Sequence, residues 1–161
     1  INTRVVRRSN ALTGYSYGKD FKYSEVYSFN KGLLGFMKSI SMLIGMASLK
    51  VAISFRMSLW LLRKFFLPAP GQGPSKENRE SGYFKVLLVG YLGKNKLNCI
   101  VTGDRDPGYA ATAKMLSESA LSLLLEKESI PDISGVLTPA SGIGDIIAVR
   151  LKDKGIVFKI N

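Results

Sequence analysis

The sequence predicts an α+β fold, in which an antiparallel sheet has helices on one face, together with an additional helical segment that is apolar and basic. Strand-like alternation over residues 82–102 predicts a hairpin of the sheet. Helical spacing of apolar residues over 110–125 predicts a helix directly after it. A long apolar run over residues 30–67, interrupted by basic residues, predicts the added segment.

These patterns divide the chain into three parts. Residues 1–29 and 82–161 are predicted to form the α+β domain, of a substrate-binding or dimerisation type. Residues 30–67 form a helical insertion, and residues 68–81 an exposed loop rich in proline and glycine. Because the first residue is Ile1 and no signal-peptide pattern follows it, we expect a fragment or a processed product.

Composition excludes several chemistries. The chain has no histidine and one cysteine, Cys99, which excludes Ser–His–Asp and Cys–His catalysis and histidine-ligated zinc. Metal-ligand spacing is absent, so we expect no metal. Cys99 lies in an apolar strand pattern that is typical of an inert buried thiol. The net charge is +11, and most of the excess lies before residue 68, so the partner of the positive charge should be sought there.

The first thirty residues contain one predicted strand. Arg7 and Arg8 follow an apolar pair, and they either face solvent or bind an acidic group in a cleft. Residues 11–20 are predicted to form a loop. Residues 21–29 alternate like an aromatic-rich strand, whose tyrosines are interpreted as sheet packing.

A tight polar turn between the hairpin and the main helix is the first candidate site. Asp106 is placed to cap the helix, with Pro107 at its first position. Arg105 and Tyr109, with the free N–H groups of a helix start, could hold an anionic or carbonyl group. Asp104 pairs with Asp106 in sequence, but turn and capping roles explain both carboxylates better than catalysis. The packing face of the helix is predicted to comprise Ala113, Leu116, Ala120, Leu121 and Leu124.

The end of the chain predicts one more helix and one more strand. Thr138 is placed to cap the helix and Pro139 to begin it, and Gly155 ends it. Residues 156–160 then alternate as a terminal strand.

The insertion over residues 30–67 has features typical of a segment that lies on a membrane surface. Its longest uncharged run, residues 39–49, is shorter than the roughly twenty residues that cross a bilayer. In one continuous helix, four of its basic residues would fall within about 40° of each other. Glycines allow a break into two pieces, and burial against another domain or subunit is the alternative. The predicted membrane-surface residues are Lys31, Lys38, Lys50, Arg56, Trp60, Arg63 and Lys64.

Three blocks in order carry a family resemblance. They are residues 5–12, residues 103–109 (Gly-Asp-Arg-Asp-Pro-Gly-Tyr) with the helix that follows, and residues 135–140 (Gly-Val-Leu-Thr-Pro-Ala). A shorter stretch, residues 71–75, agrees with them. From about Val5 to about Phe158 the chain resembles the C-terminal portion of saccharopine dehydrogenase-like oxidoreductases.

That resemblance implies a nicotinamide-dependent oxidoreductase. NAD or NADP would be bound by an N-terminal dinucleotide-binding domain that this chain lacks, so the chain alone would be inactive. The substrate-side residues are expected to be Arg7, Arg8, Arg105 and Tyr109; the catalytic residues stay unknown.

Two functional hypotheses follow. In the first, the chain is the C-terminal part of such an oxidoreductase, supplying the substrate side and a membrane or lipid-droplet docking surface. In the second, it is a non-catalytic, membrane-associated structural or scaffold subunit. The expected partners are a membrane or lipid-droplet surface, the missing domain or another subunit, and a second copy in a homodimer. Nucleic acid is an improbable partner because the basic residues are interleaved with apolar ones. The expected location is intracellular, on a lipid droplet or an organelle membrane.

Overall fold

The computed structural model describes residues 2–69 and 71–160. These residues form two compact units: the sheet unit, which runs to Tyr23 and resumes at Pro74, and the insertion unit, Ser24–Gly73. The elements in chain order are α1 (Asn2–Leu12), α2 (Leu33–Ser54), α3 (Arg56–Phe65), α4 (Lys76–Ser81), β1 (Phe84–Leu92), β2 (Asn95–Gly103), α5 (Ala110–Leu125), α6 (Pro139–Gly142), α7 (Ile146–Lys152) and β3 (Ile156–Ile160).

The three strands form one antiparallel sheet in the order β1-β2-β3. β1 pairs with β2 from Phe84 opposite Gly103 to Leu92 opposite Asn95. The hairpin turns at Gly93, whose φ of 59° suits glycine in a tight turn. The predicted α+β fold is confirmed. Strand β2 begins at Asn95, earlier than the sequence pattern predicted, because the hairpin turn is shorter than expected.

The buried apolar side chains of the sheet unit come from α5, the α6–α7 region and β3. They are Ala111, Ile143, Leu151 and Ile156, each at most 6% exposed. The buried polar side chains among the described residues are Ser9, Asn10, Glu118, Ser122 and Ser141. The packed centre of this unit is therefore small and partly polar.

Helix α5 buries the side that the sequence did not predict. Ala111, Glu118 and Ser122 are buried and lie on one line of the helix. The predicted packing face is exposed instead, with Leu116 at 71% and Leu124 at 66%. The prediction was wrong because apolar spacing alone does not say which side a neighbouring element contacts. Here α7 contacts the polar side through an ion pair described below.

Two further sequence predictions differ from the structure. Residues 21–29 form no strand, because no other strand pairs with them among the described residues. The predicted last helix is split into α6 and α7, since Gly144 has a φ of 67° that interrupts helical geometry. Its start is as predicted, because Thr138 and Ser141 form a reciprocal capping box.

The insertion unit contains α2 and α3, with extended backbone at Phe55 between them (φ −108°, ψ 133°). The break falls at this residue and not at Gly35 or Gly45, which lie inside α2. By length and composition, α2 is the helix among the described residues that could cross a membrane, with 22 residues and a mean hydropathy of 1.5.

Candidate functional site

The turn between β2 and α5 holds its shape through Asp106. Oδ2 of Asp106 accepts a hydrogen bond from the Tyr109 N–H at 2.8 Å, and its carbonyl accepts one from the Ala111 N–H at 2.9 Å. The α-helix itself begins at Ala110, after a turn over residues 107–109. Asp106 is therefore a turn-capping residue as interpreted, but it caps the preceding turn. The predicted helix start was three residues too early.

Helix α4 lies against this turn. The backbone N–H of Asp106 donates to the Arg79 carbonyl at 3.1 Å. The two segments approach so closely at Gly82 that a Cβ there would lie 2.6 Å from both Cα and N of Asp106. Ser75 caps α4 by accepting a hydrogen bond from the Asn78 N–H at 3.2 Å. The Ser75 cap thus places the side chains of α4 beside the turn.

Between α4 and the turn lies an open depression of about 250 Å³. Its lining includes three cationic side chains and one carboxylate: Lys76, Arg79, Arg105 and Glu80, together with Ala110. The Arg105 guanidinium lies 3.7 Å from Oε1 of Glu80, and both side chains are partly exposed. Three cations against one carboxylate leave this depression positive, which suits an anionic group.

The structure brings together only part of the predicted substrate-side set. Arg105 lines the basic depression, and Tyr109 follows it in the same turn with its side chain 54% exposed. Arg7 and Arg8 lie on α1 and are exposed, and α1 contacts α6. Among the described residues, no hydrogen bond or ion pair joins these two arginines to the depression. Whether any of the four binds a substrate stays a prediction.

Lys114 and Asp104 form a structural ion pair next to the turn. Nζ of Lys114 donates to Oδ1 of Asp104 at 2.8 Å and also donates to the carbonyl of Lys154, before β3. The hydrogen bond and charge of Lys114 lower the pKa of Asp104 below its usual 3.8. Both side chains are thus occupied in joining α5 to the chain before β3, which favours a structural role for Asp104 over a catalytic one.

The most buried ionic contact joins α5 to α7. Nε and Nη2 of Arg150 each lie 2.9 Å from Oε2 of Glu118, whose side chain is 8% exposed. Nη1 of Arg150 donates to Oε1 of Glu126 at 3.1 Å, and Lys154 lies 4.0 Å from the other oxygen of Glu118. This network fixes the helices and leaves no free acid or base, so we assign it a structural role.

A hydroxyl cluster joins the first and last parts of the sheet unit. Oγ of Ser9 donates to the Val5 carbonyl at 2.9 Å and lies 2.8 Å from Oγ1 of Thr138. Asn10 holds the following loop by donating to the Gly18 carbonyl at 2.9 Å. Two of the blocks that carried the family resemblance therefore meet in space, although Ser9 and Thr138 are 129 positions apart in the sequence.

The described residues do not fit a dinucleotide. A phosphate cradle needs a glycine-rich turn that follows a strand and opens a helix with free N–H groups. The one strand–turn–helix of this kind, residues 103–110, carries Asp104 and Asp106, and Asp106 already accepts the turn N–H. Groups of three or more metal-binding side chains are also absent from the part of the chain that the structure describes.

The predicted membrane-surface residues do not lie on one continuous helix. Lys31 precedes α2, Lys38 and Lys50 lie on α2, and the other four lie on α3. The extended residue Phe55 breaks the line, so the predicted single basic stripe is wrong. On α3 the remaining residues do share a side: Nζ of Lys64 lies 4.8 Å from the Trp60 ring centroid. Membrane contact by these residues stays a prediction.

Sequence reasoning missed the α4 side of the depression, because residues 68–81 were interpreted as a loop. The available signal was Ser75 before Lys76-Glu77, a capping residue followed by an acidic residue in the first turn. It also missed the partner of Glu118, since nothing local links that residue to Arg150, 32 positions away.

Comparisons with known proteins correct the family prediction. The chain is 36% identical over 168 aligned residues to a putative trans-acting enoyl reductase of Mycobacterium tuberculosis. It is 34% identical to a trans-acting enoyl reductase of Mycobacterium ulcerans and 31% identical to one of Mycobacterium bovis. These alignments cover 96%, 97% and 98% of the chain but 38% of each relative, so the chain spans well under half of their length. No protein-family model and no solved structure matches it.

The relatives are named for enoyl reduction and not for saccharopine dehydrogenase activity, so the saccharopine dehydrogenase-like assignment is wrong. The alternative of a non-catalytic scaffold is also set aside, because the relatives are named as enzymes. Their names give no support to a lipid droplet. The conclusion that the comparisons carry is a similarity, along almost the whole chain, to part of the trans-acting enoyl reductases of mycobacteria.

Proposed function

We propose that this chain is part of a trans-acting enoyl reductase. One observation carries the proposal: 36% identity to such a protein along 96% of the chain. An enoyl reductase adds a hydride and a proton across a carbon–carbon double bond conjugated to a carbonyl, which gives the saturated acyl group. We take "trans-acting" in the names of the relatives to mean that another protein presents the acyl group, and we extend this to the chain.

The hydride has to come from a donor, and a nicotinamide cofactor is the ordinary one for this reaction class. Because the described residues do not fit a dinucleotide, we assign its binding to a part of the enzyme outside this chain. No catalytic step is assigned to the residues of this chain.

The contribution that we assign to this chain is anion binding at the basic depression. Arg105, Arg79 and Lys76 would hold an anionic group of the acyl substrate or of the protein that presents it. Guanidinium groups suit phosphate and carboxylate because they donate two parallel hydrogen bonds. Glu80, whose carboxylate lies 3.7 Å from the Arg105 guanidinium, would compete with the anion for that group.

The activity test uses the whole protein that contains this chain, with NADH or NADPH and an enoyl thioester, free or attached to a carrier protein. We expect cofactor oxidation that depends on the thioester, and a saturated acyl product with two added hydrogens by mass spectrometry. Cofactor oxidation without a saturated product, or no turnover with either form of the thioester and either cofactor, would refute the reductase proposal.

The site test compares Arg105→Gln with Arg4→Gln, an exposed arginine on α1 outside the depression. Losing one charge-assisted hydrogen bond costs roughly 1.5 kcal/mol, so we expect KM for the carrier-bound thioester to rise about tenfold in Arg105→Gln. kcat should change little, because the bond is made equally in substrate and transition state. Equal KM values for the two variants would contradict anion binding at the depression and leave the reductase assignment standing.

A further inference from the structure

We propose that the insertion unit embeds in one leaflet of an anionic phospholipid bilayer, with α2 among the acyl chains and α3 at the headgroups. The first observation is the exposure of α2. Leu34, Phe36, Leu43 and Ile44 are each at least 62% exposed, and none of the most apolar window of this helix is buried. At 1.5 Å per residue, its 22 residues extend about 33 Å. An apolar surface of that length requires a cover.

The polar groups of the insertion unit are arranged for an apolar medium. Three of the four serines of α2 donate their hydroxyl hydrogen bonds to backbone carbonyls of the same helix. The pairs are Ser39 to the Phe36 carbonyl, Ser48 to that of Gly45 and Ser54 to that of Lys50, at 2.7–3.0 Å. At the helix break, the Ser58 hydroxyl reaches the Ala52 carbonyl at 2.6 Å and the Phe55 carbonyl at 3.1 Å. Hydroxyls and carbonyls satisfied internally are what a lipid environment demands.

Charge selects lipid over a protein partner. Residues 24–73 contain six basic residues and one acidic residue, Glu25. One carboxylate of this unit cannot neutralise six cations, so burial against an apolar protein surface would leave cations without partners at high cost, and a protein partner would have to supply several carboxylates itself. Anionic headgroups neutralise such residues at the surface, with about 1 kcal/mol per lysine or arginine. On α3, helical geometry puts Arg56, Arg63 and Lys64 on one side and Leu61 and Phe65 on the other, which suits an interface.

The topology of the chain excludes a single crossing. The sheet unit includes residues on both sides of the insertion, and the Ser9–Thr138 hydrogen bond lies inside it. Both ends of the insertion therefore return to one folded unit and lie on one side of the bilayer. α3 is about 15 Å long and carries three basic residues, so it does not provide a second crossing.

The lysines of α2 agree with embedding in one leaflet. Lys38 and Lys50 are twelve residues apart and so about 120° apart around the helix. Both ammonium groups can extend upward to the same headgroup layer while their stems stay among acyl chains. The helix surface between the two lysines also carries the apolar residues Met42, Met46 and Leu49. Because α2 therefore has no fully polar face, we expect it to lie deeper in the leaflet than an ordinary amphipathic helix.

The test is flotation of the purified protein with vesicles of phosphatidylcholine containing increasing phosphatidylglycerol. We expect co-flotation that increases with the anionic lipid and weakens with salt. Leu43→Asp should lower the partition coefficient tenfold or more, because it puts a charge in the middle of α2. The matched control is Leu116→Asp on α5, a leucine that is 71% exposed against 70% for Leu43. Circular dichroism checks that both variants are folded.

Two measurements on bound protein fix the depth and the topology. Trp60 is the one tryptophan, so its emission should shift to the blue and be quenched most by lipids brominated near the headgroup. In a Cys99→Ser background, Ser16→Cys and Ser75→Cys flank the insertion and should both react with an impermeant maleimide outside sealed vesicles. The proposal is overturned if wild type does not float, if Leu43→Asp floats like Leu116→Asp, or if one flanking cysteine is protected.

Discussion

The ion pair between Glu118 and Arg150 gives the most demanding stability prediction. Replacing Arg150 by methionine keeps the apolar stem and removes the guanidinium that contacts Glu118 twice at 2.9 Å. The Glu118 side chain, 8% exposed in the wild type, then loses its main partner, and Lys154 at 4.0 Å is the nearest remaining cation. Breaking a buried pair costs about 3–5 kcal/mol, and the approach of Lys154 lowers this to about 3 kcal/mol.

The double variant separates the contribution of the ion pair from the effect of changing each side chain by itself. When Glu118→Leu is combined with Arg150→Met, no buried charge is left. We therefore expect the free energy of unfolding of the double variant to lie within about 1 kcal/mol of the wild-type value. Glu118→Leu alone should lower the free energy of unfolding by an intermediate amount, because Arg150 is partly exposed and still pairs with Glu126 at 3.1 Å. The coupling between the two substitutions should therefore exceed 1 kcal/mol.

The assay is urea unfolding followed by circular dichroism for wild type, both single variants and the double variant. The exposed turn residue Glu128, changed to glutamine, serves as a charge control that should stay within about 0.5 kcal/mol. Additive losses across the cycle, or a loss below about 0.5 kcal/mol in Arg150→Met, would refute the reasoning that this pair holds α5 against α7.

Three further predictions follow from the turn beside the depression. Because Lys114 lowers the pKa of Asp104 in the folded state, the ion pair stabilises the fold at pH values above the unfolded pKa of Asp104. That stabilisation is lost as pH falls through the lowered, folded pKa. The free energy of unfolding measured against pH should therefore fall by less than about 1 kcal/mol in acid, and this fall should be absent in Asp104→Asn. Gly82→Ala should cost about 1–3 kcal/mol in urea unfolding, since its Cβ would overlap the Asp106 backbone, whereas Gly90→Ala, in open space on β1, should cost less. Calorimetry of the chain alone should detect neither NADH nor NADPH binding; binding of either would contradict the assignment of the cofactor to another part of the enzyme.

The parts of the structure that depend on local chemistry could be predicted from the sequence. Alternation and a short turn predict the β1–β2 hairpin, because strand pairing across a tight turn involves only neighbouring residues. Thr138 predicts the start of α6 for the same reason, since a capping box closes within four residues. Of the candidate site, Arg105 and the turn role of Asp106 were predictable, because both belong to one tight turn.

What only the tertiary structure decided is which surfaces meet. The apolar spacing of α5 predicted a leucine face toward the core, yet Leu116 is exposed and Glu118 is buried, because Arg150 supplies its partner from a distant helix. The basic depression likewise needs Arg79 beside Arg105, and the hydrogen bond from the Asp106 N–H to the Arg79 carbonyl, which holds the two segments together, forms only on folding. Periodicity shows that a helix has two faces, but the choice between them is a difference in free energy between long-range contacts, which no local pattern contains.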